Sequence, residues 1–336
     1  MNWRMKAHLL AVLSRLPAGR KAYHRLQRVA GTNRLDLPGE MGRALEVVQL
    51  IRRSRQPLET ATCVEIGTGW RPFVPFVLSL CGAQRVITLD INPWLSERYA
   101  RETHAALEQV LDEIAAEAGQ PLEDVQRRWA AGCDAPNLDS LLDAMHVEYR
   151  YPGDARATGL ADDSTDLVVS SNVLEHIPRD VLASIQQESL RILRPGGCAV
   201  HRFNPGDHFA VVDSSITTAN FVQFSTRDWH WYGGSGLAYH NRLRASQYEQ
   251  LFRDAGFDLP LFQVRVDEQA LHAIQQGQLP VHEEFASFTP DDLAVDYVWV
   301  IGQKPVASPA AVHGVRTDGV RPAACGASSD QPEPVR

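Results

Sequence analysis

Apolar and polar positions in the central part of the chain follow two periods in turn. Seven short apolar runs have the length and composition of buried strands, at 62–66, 85–90, 147–151, 166–170, 198–203, 261–266 and 297–302. Helical spacing of apolar residues separates several of these runs, most clearly at 73–81, 180–193 and 247–255. Because strands that alternate with helices form a parallel sheet with crossover helices, the pattern predicts an α/β protein with a mostly parallel sheet.

The segments on either side of this region have a different character. The chain before it predicts a helical N-terminal cap over 1–60, through helical spacing at 5–16, 20–29 and 41–53. The α/β domain then covers 61–304. Residues 305–336 are rich in Pro, Ala, Gly and Ser, a composition that buries little apolar surface, so we expect a disordered tail there.

Two connections inside the domain are much longer than a simple crossover. The connection between the second and third strands carries three stretches of helical spacing, and the segment after the fifth strand is rich in aromatic residues, histidine and glycine. Long segments of this kind inside a compact domain are usually lids or binding loops. We therefore predict lid insertions at 93–146 and 204–244.

Composition restricts the class of protein. The longest apolar runs, such as 73–80, are far shorter than the roughly 20 residues needed to span a bilayer. Arg15 interrupts the short apolar stretch near the start, so no signal peptide is expected. Five cysteines are scattered without a CxxC pair, which argues against a disulfide framework or a structural zinc site and predicts a reducing, cytoplasmic location.

The formal net charge of −8 hides an asymmetry. Residues 1–35 contain eight Arg or Lys and no Asp or Glu, so the rest of the chain, with 25 basic against 41 acidic residues, carries −16. An acidic body repels a phosphate backbone, so nucleic acid is not expected as a partner. The basic arm leaves two interpretations open: a packing platform with solvated basic edges, or a binding face for an anionic membrane surface or another polyanion.

The first predicted strand runs into a Gly-Thr-Gly turn. Such a turn lets backbone N–H groups and a helix N-terminus approach a ligand closely. Asp90 ends the second strand, 21 residues after Gly69, where a carboxylate can accept both hydroxyls of a ribose. Pro72 replaces the third glycine of a dinucleotide fingerprint, and Glu65 would repel a phosphate but suits the cationic aminoacyl end of S-adenosylmethionine. These residues favour S-adenosylmethionine over a nicotinamide cofactor.

Four segments resemble the successive motifs of class I S-adenosylmethionine-dependent methyltransferases, specifically the type 11 methyltransferase-domain family: EIGTGW, TLD, GDARATGLADDSTDLVVSSNVLEHI and LRILRPGG, within 62–197. The resemblance implies a Rossmann-like, seven-stranded, mostly parallel sheet with helices on both faces. It also implies S-adenosyl-L-methionine as the cofactor, bound by Glu65, Gly67, Thr68, Gly69, Asp90, Ile91, Asp154, Ala155, Ser171 and Asn172. The sequence departs from the family at position 71, where Arg71 stands in place of a further glycine.

The same resemblance assigns a part of the cofactor to each of these segments. The glycines of the turn would line the methionine portion, and Asp90 would bind the ribose. Asp154 and Ala155 would flank the adenine. The backbone of Ser171 and Asn172 would lie beside the methyl group that is transferred.

Methyl transfer requires the acceptor atom, the methyl carbon and the sulfur to be aligned, and sometimes a base that removes a proton. The candidate catalytic residues follow the fourth and fifth strands, namely His176, Asp207 and His208. Six further residues are predicted to bind substrate: Trp70, Arg71, Trp231, Tyr239, His240 and Arg242. Each also has a structural interpretation, as a turn cap, a core aromatic or a partner of the acidic body.

No metal site is predicted from the sequence. His201, His208 and Asp213 are the nearest approach to a ligand set, but their spacing matches no compact motif. His201 lies inside the fifth strand, and we expect it to pack in the core.

The sequence thus predicts an S-adenosylmethionine-dependent methyltransferase acting on an oxygen or nitrogen of a small-molecule metabolite, because the predicted lids favour a metabolite over a macromolecule. Two alternatives use the basic arm: a membrane-peripheral enzyme that acts on a lipid or quinone, and an RNA or protein methyltransferase. A third is a protein that binds S-adenosylmethionine without catalysis. The incomplete dinucleotide fingerprint disfavours an oxidoreductase, and neither the acceptor nor the oligomeric state is predicted.

Overall fold

The structure, a computed structural model, describes residues 2–17, 19, 23, 35–237 and 239–306. The strands are β1 (Thr62–Ile66), β2 (Arg85–Leu89), β3 (Val147–Arg150), β4 (Thr165–Ser171), β5 (Leu193–Phe203), β6 (Asp258–Val266) and β7 (Val295–Gln303). The α-helices are α1 (Trp3–Arg15), α2 (Leu37–Arg53), α3 (Phe73–Leu80), α4 (Glu97–Leu107), α5 (Leu111–Ala118), α6 (Leu122–Ala130), α7 (Leu138–Ala144), α8 (Arg179–Ile192), α9 (Thr226–Gly233), α10 (Ala245–Ala255), α11 (Glu268–Gln275) and α12 (Pro290–Leu293). Short 3-10 helices lie at Glu108–Val110, Leu174–His176, His208–Val211, Asn220–Gln223 and Glu283–Phe285. The predicted helix at 20–29, apart from 23, and the predicted tail, apart from 305–306, lie outside the described residues.

The strands form one sheet in the order β3-β2-β1-β4-β5-β7-β6. The pairs from β3 through β5 are parallel, whereas β7 is antiparallel to both β5 and β6. The predicted α/β fold with a seven-stranded, mostly parallel, Rossmann-like sheet is therefore confirmed. β1 lies between β2 and β4, and Ile66 is level with Leu89, so the turns that follow these strands open at the same edge of the sheet.

Helices cover both faces of the sheet. Cys63 and Val64 are successive residues of β1 and belong to different cores, because side chains alternate along a strand. The core on one face contains α2 and α3, with Phe76 at its centre, and the core on the other contains α8 and α10, with Ile185 and Phe252. All eight residues of α3 are buried, which explains why its sequence is apolar on every side.

The insertion at 93–146 forms α4 to α7, connected by short turns. Ile114 and Val125 of this insertion are buried in the same core as α3, so its helices extend the layer that covers the sheet. Of its residues, Trp94 and Tyr99 border the large cavity at the edge of the sheet. Within this insertion, we therefore expect only the part around Trp94 and Tyr99 to act as a lid.

Helix α1 packs on the segment that follows β5 rather than on the sheet. The indole of Trp3 lies 5.0–6.3 Å, between ring centroids, from Phe209, Phe224, Trp229 and Tyr232. Helix α2, in contrast, belongs to the core of the sheet. The described part of the predicted cap therefore consists of two helices with separate packing partners.

The connection between β6 and β7 completes the aromatic cluster around α1. It contains α11 and α12, which the sequence analysis did not predict. Ala270, Phe285 and Leu293 from this connection are buried together with Phe221 of the segment after β5. The structure therefore places a third apolar cluster beside the sheet, next to the same cavity.

Candidate active site

A cavity of about 1200 Å³ opens at the carboxyl ends of β1, β2 and β4. The turns after these strands form one end of it, and α1, α2 and the segment after β5 border the other. Small-molecule sites usually measure roughly 300–1,000 Å³. The cavity therefore has room for a cofactor and a second ligand, at the edge where open α/β sheets bind their ligands.

The turn after β1 contains two glycines with positive φ. Gly67 has φ +85° and Gly69 has φ +66°. A Cβ atom at Gly67 would lie 2.6 Å from Cγ2 of Val173, in the turn after β4, so the two turns approach too closely for a side chain. No atom lies within 4 Å of a Cβ built at Gly69, so only the backbone conformation requires glycine there.

Asp90 lies beside this turn with 8% of its surface exposed. Its Oδ2 accepts the backbone N–H of Gly69 at 3.0 Å, and its Oδ1 accepts that of Asn92 at 2.8 Å. Burial raises the pKa of the carboxyl, and the two hydrogen bonds oppose that shift. Each carboxylate oxygen keeps capacity for a further hydrogen bond, which is what two ribose hydroxyls require.

Glu65, near the end of β1, is buried and borders the cavity. Burial raises its pKa to about 8, the hydroxyl of Thr88 opposes the shift, and the nearby Asp90 adds to it. Thr88 also shares a short hydrogen bond with Thr68, which fixes the middle of the turn. Burial, Thr88 and Asp90 all act on the pKa of Glu65, and none of them is a cation. A cationic ligand group would restore its ionised form, so the site fits the aminoacyl end of S-adenosylmethionine.

The wall beside Asp90 comes from Ile91 and from the segment after β3. Asp154 accepts hydrogen bonds from the side chain and the backbone N–H of Arg156, which lower the pKa of the carboxyl. Ala155 is buried, whereas Ile91 is 72% exposed. The residues of this wall that border the cavity are Ile91, Asp154, Ala155 and Arg156. Apolar surface next to one carboxylate suits the face and the amino group of an adenine.

The turn after β4 is fixed by residues from distant parts of the chain. Asn172 has φ +55°, and its Oδ1 accepts the Tyr297 hydroxyl at 2.6 Å. Arg202 donates to the hydroxyl of Ser171 at 2.9 Å and pairs with Glu46 at 2.8 Å. Because these partners come from β7, β5 and α2, tertiary structure holds the backbone of this turn against the cavity.

Three imidazoles line the other end of the cavity. The ring centroids of His176 and His208 are 5.0 Å apart, and those of His208 and His240 are 5.1 Å apart with the rings stacked. Nδ1 of His176 lies 2.9 Å from the Tyr239 carbonyl oxygen, and Nε2 of His208 lies 3.2 Å from the Asn204 carbonyl oxygen. Since a carbonyl oxygen only accepts, these two nitrogens carry the protons and the opposite ring nitrogens carry lone pairs.

Burial also sets the charge of this histidine group. It lowers the pKa of His176, and together with the charge of His176 it lowers the pKa of His208 to about 4. Both imidazoles are therefore neutral at pH 7. Burial raises the pKa of the adjacent Glu175 to about 8.

Trp70 and Arg71, two predicted substrate residues, border the cavity at its cofactor end. Trp70 packs on Trp94 with ring centroids 4.5 Å apart. Arg71 lies over the ring of Tyr99 at 4.6 Å and pairs with Glu102 at 2.8 Å. The arginine that replaces the family's glycine thus connects the turn after β1 to α4.

Three of the predicted residues, Asp207, Trp231 and Arg242, do not border the cavity. Asp207, proposed as a base, is buried and accepts hydrogen bonds from the Phe209 N–H and the Asn220 side chain, both at 2.8 Å. It caps the 3-10 helix after β5. Trp231, proposed to bind substrate, is 58% exposed on the outside of the molecule, where Arg15 lies over its ring at 5.7 Å.

Arg242, which was predicted to bind substrate, is the third of these residues. Its guanidinium donates to the Phe224 carbonyl at 2.5 Å and to the Thr226 hydroxyl at 2.6 Å, and it pairs with Glu284 at 3.3 Å. These contacts hold the guanidinium group against the segment after β5 and against Glu284 in the connection between β6 and β7. Arg242 therefore has a structural role.

The structure adds cavity residues that the sequence analysis did not select. Lys6 and Leu10 of α1 border the cavity, as do Glu40 and Arg43 of α2. Burial lowers the pKa of the Lys6 ammonium group. The sequence does contain a signal for the inward face of α1, because apolar residues occupy more than one face of this helix. One of these faces packs inward and another is exposed.

Named relatives match a short part of the chain. An uncharacterized methyltransferase of Mycobacterium ulcerans (strain Agy99) is 53% identical over 49 residues, and one of Mycobacterium avium (strain 104) is 51% identical over 49 residues. Each match covers 13% of this chain. The chain thus spans 18% and 19% of the length of these two relatives.

Solved structures and a family model match much more of the chain. A geranyl diphosphate methyltransferase in complex with S-adenosylmethionine is 12% identical with a TM-score of 0.45, over 78% of this chain and 85% of that one. An S-adenosylmethionine-dependent methyltransferase from Mesorhizobium loti is 17% identical with a TM-score of 0.40, over 75% of this chain and 95% of that one. The family described as a methyltransferase domain matches residues 24–260, more than two thirds of the 336 residues. The chain therefore belongs to this methyltransferase domain family, whose cofactor is S-adenosylmethionine.

Proposed function

We propose that this chain transfers a methyl group from S-adenosyl-L-methionine to an oxygen or nitrogen of a small-molecule metabolite. The supporting observation is that the cavity has two chemically different ends. Glu65 and Asp90 supply carboxylates at one end, and His176 and His208 supply neutral imidazoles at the other. The first end suits a cationic nucleoside, and the second suits an acceptor that must lose a proton.

At the cofactor end, each group would face a complementary part of S-adenosylmethionine. Glu65 would pair with the cationic aminoacyl group, and Asp90 would accept the ribose hydroxyls. The turn at 67–69 would lie against the methionine portion, with its backbone N–H groups directed at the carboxylate. Asp154 and Ala155 would border the adenine.

The acceptor end supplies alignment and a base. S-adenosylmethionine brings a methyl carbon that its sulfonium has already activated. The backbone of Ser171 and Asn172 would bound the position of that carbon, so the acceptor approaches from the histidine side. As the acceptor's oxygen or nitrogen forms its bond to the carbon, the carbon–sulfur bond breaks and its electron pair stays on sulfur. The acceptor's proton would pass to Nε2 of His176, which is free to accept it because Nδ1–H is bound to the Tyr239 carbonyl.

The segments that border the acceptor end favour a small molecule. Lys6 and Leu10 of α1, together with Phe209 and Leu237 of the segment after β5, border this end. A small molecule at this end could contact both segments at once. Because the Lys6 side chain is partly buried there, it would attract an anionic group on the acceptor.

Calorimetric titration with S-adenosylhomocysteine tests the cofactor half of the proposal. Asp90→Ala should weaken binding by about 10–100-fold, because hydrogen bonds to a charged group contribute roughly 1.5–3 kcal/mol. Asp258→Ala, which removes an exposed carboxylate on β6, is the matched control and should bind normally. No binding by the unaltered chain would contradict the proposal.

Transfer of a labelled methyl group to fractions of a host-cell extract tests the catalytic half and identifies the acceptor. A labelled small molecule supports the proposal. Labelled RNA or protein would favour the macromolecular alternative. Normal S-adenosylhomocysteine binding with no labelled product in any fraction would favour a protein that binds the cofactor without catalysis.

An exposed apolar surface favours a second candidate, a membrane-peripheral enzyme whose acceptor is a lipid or a quinone. One side of α1 exposes Met5, Leu9 and Val12, and Leu16 directly after the helix is also exposed; each is more than half accessible. None of the described helices is long and apolar enough to cross a bilayer. Amphipathic helices with basic residues can lie in the membrane interface, and the other side of α1 borders the acceptor end of the cavity.

Flotation with anionic and neutral vesicles tests the second candidate. The double variant Leu9→Glu with Val12→Glu should lose binding to vesicles that contain phosphatidylserine. Val306→Glu, at an apolar residue that is 70% exposed, is the matched control and should float normally. Failure of the unaltered chain to float, or equal flotation of the two variants, would contradict membrane binding through α1.

A further inference from the structure

A carboxylate and two imidazoles come together beside the acceptor end of the cavity, which His176 and His208 border and next to which Glu175 is buried. One ligand atom from each of Glu175, His176 and His208 lies within 4.8 Å of the others. Glu175 and His176 belong to the 3-10 helix after β4, and His208 begins the one after β5. Because β4 and β5 are neighbouring parallel strands, the two turns meet at the edge of the sheet.

The backbone binds one polar atom of each of these side chains. His176 donates its Nδ1–H to the Tyr239 carbonyl at 2.9 Å, and His208 donates its Nε2–H to the Asn204 carbonyl at 3.2 Å. Oε1 of Glu175 accepts the Asn204 N–H at 3.2 Å. Histidines that bind metals almost always donate their other N–H to a carbonyl or a carboxylate, and carboxylate ligands are also hydrogen-bonded. Each side chain is thus oriented and keeps one atom available as a ligand.

The remaining oxygen of Glu175 has no partner. Oε2 is buried and makes no hydrogen bond within the described part of the chain. A protonated carboxyl would not resolve this, because its O–H would need an acceptor that is not there. Arg202 is near enough for its charge to act on Glu175, but it is bound to Glu46 and to the Ser171 hydroxyl. A cation held beside Oε2 would satisfy this buried oxygen.

We propose that Glu175, His176 and His208 bind a divalent first-row transition-metal ion, for which Zn²⁺ is the probe. Two imidazoles and one carboxylate form a ligand set used for Zn²⁺ and for non-haem Fe²⁺. Metal–ligand bonds of about 2.0 Å at tetrahedral angles place ligand atoms about 3.3 Å apart. The three ligand atoms now lie within 4.8 Å of one another, so binding an ion would draw them together by up to about 1.5 Å.

The structure explains why sequence spacing did not indicate this site. Of the three residues considered there, His201 is buried inside β5, and the carboxylate of Asp213 accepts the Trp3 N–H at 2.8 Å, so neither reaches His208. Glu175 lies 33 positions before His208 along the chain, a separation that no short metal motif has.

A metal ion at this position would have a direct chemical consequence. Three protein ligands leave a coordination position open, as in catalytic metal sites. An acceptor hydroxyl bound there would be more acidic and would release its proton to solvent before methyl transfer, in place of transfer to His176. This consequence rests on the proposed function, whereas binding of the ion does not.

Zinc binding to the full chain, without a histidine tag and after treatment with a chelator, tests the proposal. Calorimetric titration should show one Zn²⁺ per chain. His208→Ala and Glu175→Gln should each weaken binding by roughly 100-fold or more, because loss of even an outer hydrogen-bond partner costs about 10–100-fold. His272→Ala, at an exposed histidine on α11, is the matched control and should bind zinc like the unaltered chain. Absence of zinc binding, or unchanged binding by His208→Ala, would overturn the proposal.

S-adenosylhomocysteine titration of the same samples separates this proposal from the function proposed above. Normal S-adenosylhomocysteine binding by His208→Ala and Glu175→Gln would show that these variants are folded, so their loss of zinc would support the site. If either variant binds neither zinc nor S-adenosylhomocysteine, it is not folded, and His176→Ala replaces it in the comparison. Zinc binding without S-adenosylhomocysteine binding would support the metal site and contradict the methyltransferase function. S-adenosylhomocysteine binding without zinc binding by the unaltered chain would overturn the metal site alone.

Discussion

Oδ2 of Asp90 accepts the backbone N–H of Gly69 at 3.0 Å, across the gap between the turns after β1 and β2. Parallel pairing of Ile66 with Leu89 brings the two turns side by side, and Gly67 donates its N–H to the Leu89 carbonyl at 2.8 Å. The carboxylate proposed to bind the ribose thus also fixes the turn proposed to bind the methionine portion. A change in either should weaken binding of the whole cofactor.

The two glycines of this turn should respond differently to alanine. Gly69→Ala meets no neighbouring atom and carries only the cost of a positive φ, roughly 1–2 kcal/mol. Gly67→Ala carries that cost and also places a Cβ 2.6 Å from Cγ2 of Val173, so the Val173 side chain or one of the two turns must shift. Denaturant unfolding should therefore show a larger loss for Gly67→Ala, and S-adenosylhomocysteine titration should show weaker binding. Equal losses in both variants would contradict the role given to Val173.

Tyr297 should affect cofactor binding although it lies on β7. Its hydroxyl donates to Oδ1 of Asn172 at 2.6 Å and so holds the turn beside the proposed methyl position. Tyr297→Phe removes one hydrogen bond, worth roughly 1 kcal/mol, and should weaken S-adenosylhomocysteine binding by about fivefold. Tyr151→Phe, at an exposed tyrosine, is the control and should bind normally. Unchanged affinity in Tyr297→Phe would show that the turn does not depend on this bond.

The sequence predicted those parts of the site that local structure determines. Glu65, Gly67 and Asp90 belong to one β-α-β unit, so residues close along the chain are also close in space. The strands were predictable because buried parallel strands appear as continuous apolar runs. The start of β5 at Leu193 was not, because pairing with Thr165 of β4 extends the strand through a Pro-Gly-Gly segment that resembles a helix stop.

Residues whose roles depend on distant contacts were not predictable. Trp229 and Trp231 have similar sequence surroundings, but they lie two residues apart on α9 and therefore on opposite sides of the helix. Trp229 is buried against Trp3, a contact across more than 200 residues, and Trp231 is exposed. The position of Lys6 in the cavity depends on the same distant packing of α1.

Replacement of Arg242 should therefore reduce stability and leave cofactor binding unchanged. Arg242→Met keeps much of the apolar contact with Phe285, but it leaves the Phe224 carbonyl without its donor and removes the ion pair with Glu284. We expect a loss of about 2–3 kcal/mol in the free energy of unfolding. Arg253→Met, on the exposed face of α10, should lose less than about 0.5 kcal/mol. Weaker S-adenosylhomocysteine binding with normal stability in Arg242→Met would restore the original prediction of a ligand-binding role.

Binding of S-adenosylmethionine should release a proton from Glu65. Burial raises the pKa of this carboxyl to about 8, so it is mostly protonated at pH 7 in the free protein. The cationic aminoacyl group favours the ionised form, so binding should expel most of one proton and should strengthen as the pH rises from about 6 to 8. Calorimetric titration at pH 7 in phosphate and in Tris measures the proton release, because the two buffers take up protons with different enthalpies.

The Glu65→Gln variant isolates this carboxyl because it keeps the size of the side chain but cannot ionise. It should release no proton, and its affinity should stay constant between about pH 6 and 8, whereas the exposed control Glu59→Gln should behave like the unaltered chain. In the free protein, the raised pKa means that the folded state holds the proton more tightly than the unfolded state. The free energy of unfolding should therefore fall as the pH rises from about 4.5 to 8, and Glu65→Gln should remove that part of the fall. Equal proton release by Glu65→Gln and the unaltered chain would show that another group faces the cation.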